Sequence, residues 1–197
     1  MHNEFKSLLK ERLEFNTNLI EKHSDNIIYQ AQEIAESIKN TAIHKGKVIL
    51  FGNGGSDAQA SHFSTELLIR FKKDSMRPPI PAFAISSDSS VITACGNDFD
   101  FKYIFKKQLE SILNDNDCII AFSTSGTSGN IVEALNFGKD IVNKNKIFLI
   151  TGNLNCSKLD DSVTIVRTPI GGDTETYQEF HLLLIHLVCN ILEKTYV

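Results

Sequence analysis

Residues 118–130 read CIIAFSTSGTSGN, an apolar run that stops abruptly in a cluster of Ser, Thr and Gly. Residues 118–122 have the length and composition of a buried strand. Behind the loop, Ile131, Val132, Ala134, Leu135 and Ile141 carry helical spacing. The loop presents four hydroxyls, Ser123, Thr124, Ser125 and Ser128, where that helix begins. There the unpaired N–H groups and the positive dipole end favour an anion. Gly126 and Gly129 let the backbone approach a ligand. An ordinary Ser/Thr cap and turn is the bland alternative, but four hydroxyls exceed what one cap requires. The preferred reading is a sugar-phosphate pocket.

Working outward, strand and helix patterns alternate. Residues 47–51 predict a strand, 56–71 a helix, and 77–81 a loop held open by Pro78, Pro79 and Pro81. A second strand at 82–85 precedes helical patterns near 88–95 and 102–113. After the strand at 118–122 come a helix at 129–143, strands at 146–150 and 162–166, and a helix over roughly 174–194. Strands that are apolar throughout and alternate with helices imply an α/β fold, a five-stranded parallel sheet flanked by helices on both faces. Ligands of such sheets bind beyond the carboxyl ends of the strands, where both Ser/Gly-rich loops of this chain lie. Before the first strand, Phe5, Leu8, Leu9 and Leu13 mark one helical stripe, and Ile27, Ala31, Ile34, Ala35 and Ile38 another. Ser24 and Asp25 supply a break and cap, predicting two helices. The chain reads as one domain over 1–197, with an N-terminal helical extension over 1–45. The last helix is apolar nearly all round, so burial between subunits is expected.

The bulk properties narrow the function class. The 197 residues, 42% hydrophobic and 22% charged, suit one globular domain. A net charge of −4 argues against sequence-independent nucleic-acid binding. Cys95, Cys118, Cys156 and Cys189 are widely spaced, which suits reduced thiols in a cytoplasmic protein. The N-terminus reads as a charged amphipathic helix, not a signal peptide, and no apolar run reaches the roughly 20 residues of a membrane span.

Several side chains could carry chemistry. The first strand ends in FGNGGSDAQASHFSTEL. Gly52, Gly54 and Gly55 allow a tight turn, and Asn53 offers an amide at its mouth. A dinucleotide-binding turn lacks its third glycine here because Asp57 takes that place, and no GK[ST] follows for a Walker A loop. His62 and Glu66 share a helix face, a spacing that suits a divalent metal or proton transfer; a surface contact is the ordinary alternative. His186 interrupts an apolar run, where a core histidine is the ordinary expectation, and His181 reads as structural. Gln178 and His186 stand about 12 Å apart along a helix and about 80° apart in rotation, so they meet one ligand only by leaning together. Asn97 and Asp98 read as a turn. Arg70, Lys72, Lys73 and Arg77 read as a solvated basic face.

FGNGGS, HFSTEL, GNDFDF, STSGTSGN and YQEFHLLLIH, in this order and spacing, resemble the phosphoheptose isomerases, sedoheptulose-7-phosphate isomerases of the sugar isomerase (SIS) fold, a flavodoxin-like sandwich. The resemblance covers essentially the whole chain. It implies that Ser123, Thr124, Ser125 and Ser128 hold the phosphate, and that Asn53, Gly54, Gly55, Asn97 and Asp98 contact the sugar. It implies Glu66 and His186 as an acid–base pair and His62, Glu66, Gln178 and His186 as zinc ligands. It also implies a homotetramer with active sites at subunit interfaces, acting in nucleotide-activated heptose synthesis. Two positions depart from the family pattern, Gln59 and Glu175, where Asp is common.

Ketose–aldose interconversion moves a proton between adjacent carbons through an enediol(ate), work that a partly desolvated carboxylate can do. Some SIS-fold proteins are instead non-catalytic tetramers that bind a replication initiator or sense sugar phosphates. Because Glu66 and His186 are intact, the enzyme is the expected reading.

Overall fold

The computed structural model describes residues 2–143, 145–152, 156–168 and 171–196. The elements run α1 (His2–Ile43), β1 (Val48–Gly52), α2 (Gly55–Leu68), β2 (Ala82–Ala84), α3 (Ser89–Asp98) and α4 (Ile104–Ile112). They continue with β3 (Cys118–Phe122), α5 (Gly129–Gly138), β4 (Ile147–Thr151), β5 (Thr164–Arg167) and α6 (Thr174–Thr195). A single 3-10 turn, Phe101–Tyr103, leads into α4.

All strand pairs are parallel, in the order β2-β1-β3-β4-β5. Every residue of β1, β3 and β4 is buried, which is why these three read in the sequence as unbroken apolar runs. Alternate side chains then enter two cores. Leu50, Ile120, Phe122 and Ile150 pack with α1, α2 and α6. Phe51, Ile119, Ala121 and Leu149 pack with α4 and α5, where Phe51 stacks on Phe105 at 4.8 Å. Chain order reverses between β1 and β3, and Gly52 pairs with Phe122 at their carboxyl ends. The loops that leave these two strands are therefore neighbours at the switch point of the sheet, the place where such folds bind ligands.

At the opposite edge Asp117 locks the starts of the same strands. Its carboxylate accepts from Lys47 N at 2.9 Å, Asn114 N at 2.8 Å and Lys47 Nζ at 2.6 Å, with only 1% of the residue exposed.

The two N-terminal helices expected from Ser24 and Asp25 are one. α1 runs unbroken for 42 residues. The Ser24 hydroxyl donates to Glu21 O within the helix, so it satisfies itself without capping a new start. No Gly or Pro interrupts the backbone there. Burial in α1 begins at Ile27; Phe5, Leu8, Leu9 and Leu13 are each about 60% exposed. The first half instead lies along α6, where Arg12 reaches Glu179 at 3.2 Å and Asp173 at 3.4 Å. α5 is also shorter than its apolar spacing suggests, ending at Gly138.

Candidate active site

The β1 loop turns into α2 through Gly54, which has a positive φ of 55° and leaves the helix without a side-chain cap. At the next position a Cβ on Gly55 would fall 2.4 Å from Gln178 Nε2, so any side chain there would push the Gln178 amide aside. Asn53 faces the second loop. Its amide and that of Asn130 form a reciprocal pair, Asn53 Nδ2 to Asn130 Oδ1 at 3.0 Å and Asn130 Nδ2 to Asn53 Oδ1 at 2.8 Å. Asn130 is buried and also accepts from Ile131 N, so it joins both loops to the first turn of α5.

In the β3 loop, Gly126 takes a left-handed φ of 65°, and its N–H donates to Ser123 Oγ at 3.1 Å. Ser125 Oγ lies 3.5 Å from Ser123 Oγ and accepts from Thr127 N at 3.3 Å. Thr124 contributes its carbonyl to Thr151 Oγ1. Ser128 precedes α5 without capping it, so the first-turn N–H groups of that helix are not closed off by its hydroxyl. Beside them the stem of Lys102 lies 3.8 Å from where a Gly129 Cβ would be. Its ammonium pairs with Glu133 at 2.8 Å, which raises the Lys102 pKa. Hydroxyls, N–H groups and a nearby cation suit an oxyanion.

α2 and α6 run side by side and bring three of the expected groups together. His62 Nε2 and His186 Nε2 are 3.0 Å apart, so one ring donates to the other. His62 Nδ1 lies 3.6 Å from Glu66 Oε1, beyond a hydrogen bond but within ion-pair range. The Phe71 ring, 5.6 Å from that of His186, walls the cluster. Gln178 stands elsewhere: it covers Gly55 at the start of α2, about 12 Å along α6 from His186. Asn97 and Asp98 end α3, exposed and bonded to each other at 2.8 Å.

The donor chemistry fits a zinc ion in part. Tetrahedral zinc with bonds of about 2.0–2.1 Å sets its ligating nitrogens about 3.3 Å apart. The His62–His186 separation of 3.0 Å is near that value. Glu66 faces the other nitrogen of His62, where a carboxylate orients a ligating imidazole. Among the described residues no group of three or more His, Cys, Asp or Glu side chains converges as a metal site.

Three residues of this region were not legible as functional. Asn130 sits within a Ser/Gly loop, and Lys102 is remote in sequence from the loop it flanks. Arg77, grouped by sequence with a solvated basic face, is buried: it donates to Glu66 O at 2.9 Å and Leu67 O at 3.1 Å, closing α2. It also reaches Glu193 of α6 at 3.4 Å.

A family model for the SIS domain matches residues 9–143. The chain is 34% identical to the phosphoheptose isomerase of Thermodesulfovibrio yellowstonii over 96% of its own length and 92% of that protein. It is also 34% identical to the phosphoheptose isomerase of Aquifex aeolicus, over 96% and 94% of the two chains. This chain belongs to the phosphoheptose isomerase family. Among solved structures, the family member from Francisella tularensis superposes with a TM-score of 0.85 at 28% identity, covering 96% of this chain and 98% of that one. As a phosphoheptose isomerase relative with its α2–α6 cluster in place, the chain is an isomerase built on the SIS sheet.

Proposed function

We propose that this isomerase converts sedoheptulose 7-phosphate to D-glycero-D-manno-heptose 7-phosphate. The observation that carries the reading is the meeting of Glu66, His62 and His186 at one α2–α6 contact, on a sheet whose carboxyl edge carries the hydroxyl loop. Ser123, Thr124, Ser125 and Ser128 hold the phosphate at the start of α5. Asn53, with the backbone at Gly54 and Gly55, binds the sugar chain, and Asn97 and Asp98 complete that binding. Glu66 takes the proton from C1 of the open ketose. The C1–H electron pair becomes the C1–C2 double bond of the enediol(ate) while the carbonyl oxygen gains a proton from His186. Return of that proton from Glu66 to C2, using the C1–C2 electron pair, while the O1 proton passes to His186 and C1–O1 becomes the carbonyl, leaves the aldose and restores both groups. A zinc ion would be held by His62 and His186, and when bound supplies Lewis-acid polarisation of the carbonyl.

The assembly belongs to the same reading. The exposed apolar stripe of α1 and the half-exposed Leu182 and Leu183 of α6 support a homotetramer with its sites near subunit interfaces. Buried thiols at Cys95, Cys118 and Cys189 support a cytoplasmic protein. No described helix is long and apolar enough to cross a membrane.

Glu66→Gln tests the mechanism. It should lower turnover of sedoheptulose 7-phosphate by about 10²–10⁴-fold with an unchanged circular dichroism spectrum. Near-normal turnover would remove Glu66 from the reaction.

A further inference from the structure

Gln59 occupies a buried place between α2 and α6, one helical turn before His62. Its Nε2 donates to Gln178 O at 2.5 Å, and its Oε1 lies 3.3 Å from His181 Nδ1. The amide orientation is fixed by the first bond, since the reverse would set Oε1 against a carbonyl. The second bond then requires a proton on His181 Nδ1. His181 is fully buried and its Nε2 has no partner among the described residues, so that nitrogen is left as the bare acceptor of the Nδ1–H tautomer. The ring is also held against Phe122, the last residue of β3, at 6.0 Å between centroids.

One side chain thus spans both helices with a donor and an acceptor, just above the level at which His62 meets His186. A second polar tie to α6, from Arg77 in the loop after α2 to Glu193, lies near the far end of α2. Between the two ties, the imidazole pair is the polar contact whose spacing depends on the register of the helices. A displacement of even about 1 Å at reacting groups costs on the order of 10²-fold in rate. We infer that Gln59 is a positioning residue: it registers α6 against α2 through Gln178 O and the His181 tautomer, and so sets the His62–His186 geometry. This rests on the acid–base reading given above.

Two measurements test it. Imidazole ¹⁵N chemical shifts of the unmodified protein should show His181 as the neutral Nδ1–H form; an Nε2–H form would overturn the inference without any variant. Gln59→Leu removes both bonds, and Gln59→Glu keeps the shape but cannot donate to Gln178 O. Each should lower kcat for sedoheptulose 7-phosphate at least tenfold with KM within about threefold. Asp117→Asn, a destabilising change at the opposite sheet edge, should leave kcat unchanged. A Gln59→Leu or Gln59→Glu enzyme with kcat within twofold of the parent would overturn the proposal. Near-normal turnover of Glu66→Gln would instead remove the acid–base reading and leave the tautomer result standing, so the two failures are distinguishable.

Discussion

His181 illustrates how one residue couples packing to pH. Burial pushes its pKa down to about 3, whereas an exposed imidazole in the unfolded chain titrates near 6.5. As pH falls below about 6.5 the unfolded state binds a proton that the folded state refuses. Stability therefore drops with acidification, by at most about 1.4 kcal/mol per unit until the folded ring itself titrates. Urea denaturation at pH 6.5 and pH 5 should show a loss of about 2 kcal/mol, and His181→Gln should flatten that dependence. An equal slope in the variant would assign the effect to other groups. The sequence reading placed His181 as structural, in keeping with this burial. It could not show the bridge to Gln59, because the two are 122 residues apart and nothing local links them.

At the level of elements, the strands were legible and the helix ends were not. β1, β3 and β4 are short apolar runs cut off by Gly, Ser or Asn, and burial on both faces leaves them no other conformation. Within α1, Ser24 and Asp25 resemble a cap, yet a serine can equally bond back into its own helix. The end of α2 depends on Arg77, whose role exists only once α6 brings Glu193 beside it. Both partners of that ion pair are nearly inaccessible, with 2% and 7% of their side chains exposed. Removing Arg77 strands Glu193 and takes a donor from three carbonyls, Glu66 O, Leu67 O and Pro78 O. Arg77→Met should therefore cost about 3–5 kcal/mol, read as a shift of the denaturant midpoint at constant slope. A cost below about 1 kcal/mol would mean the pair is solvated.

For the whole molecule, the unburied half of α1 is the main feature that a single chain leaves unexplained. Phe5, Leu8, Leu9 and Leu13 repeat on one helical face and remain about 60% exposed. Such a stripe is what a partner chain covers. The proposed tetramer should sediment at four times the 22.0 kDa chain mass. Replacing Leu9 and Leu13 together with Glu should reduce that mass; an unchanged tetramer would move the interface elsewhere. The sequence supplied the apolar excess but not its place, because periodicity identifies a buried face without saying what buries it. The site shows the same division. Its loops were visible as motifs, and the positions of Glu66 and His186 as candidates. The separation of Gln178 from His186 along one helix was legible too; that Gln178 covers Gly55 followed only once α6 was packed beside α2.

The reciprocal amides of Asn53 and Asn130 carry a consequence for descent. Each gives its neighbour both a donor and an acceptor, so loss of Asn130 leaves Asn53 with two unmet groups, and loss of Asn53 leaves the buried Asn130 amide N–H unmet although its oxygen keeps Ile131 N. Lineages that abandon one asparagine should have altered the second as well, and the pair should drift as a unit although 77 positions separate them along the chain.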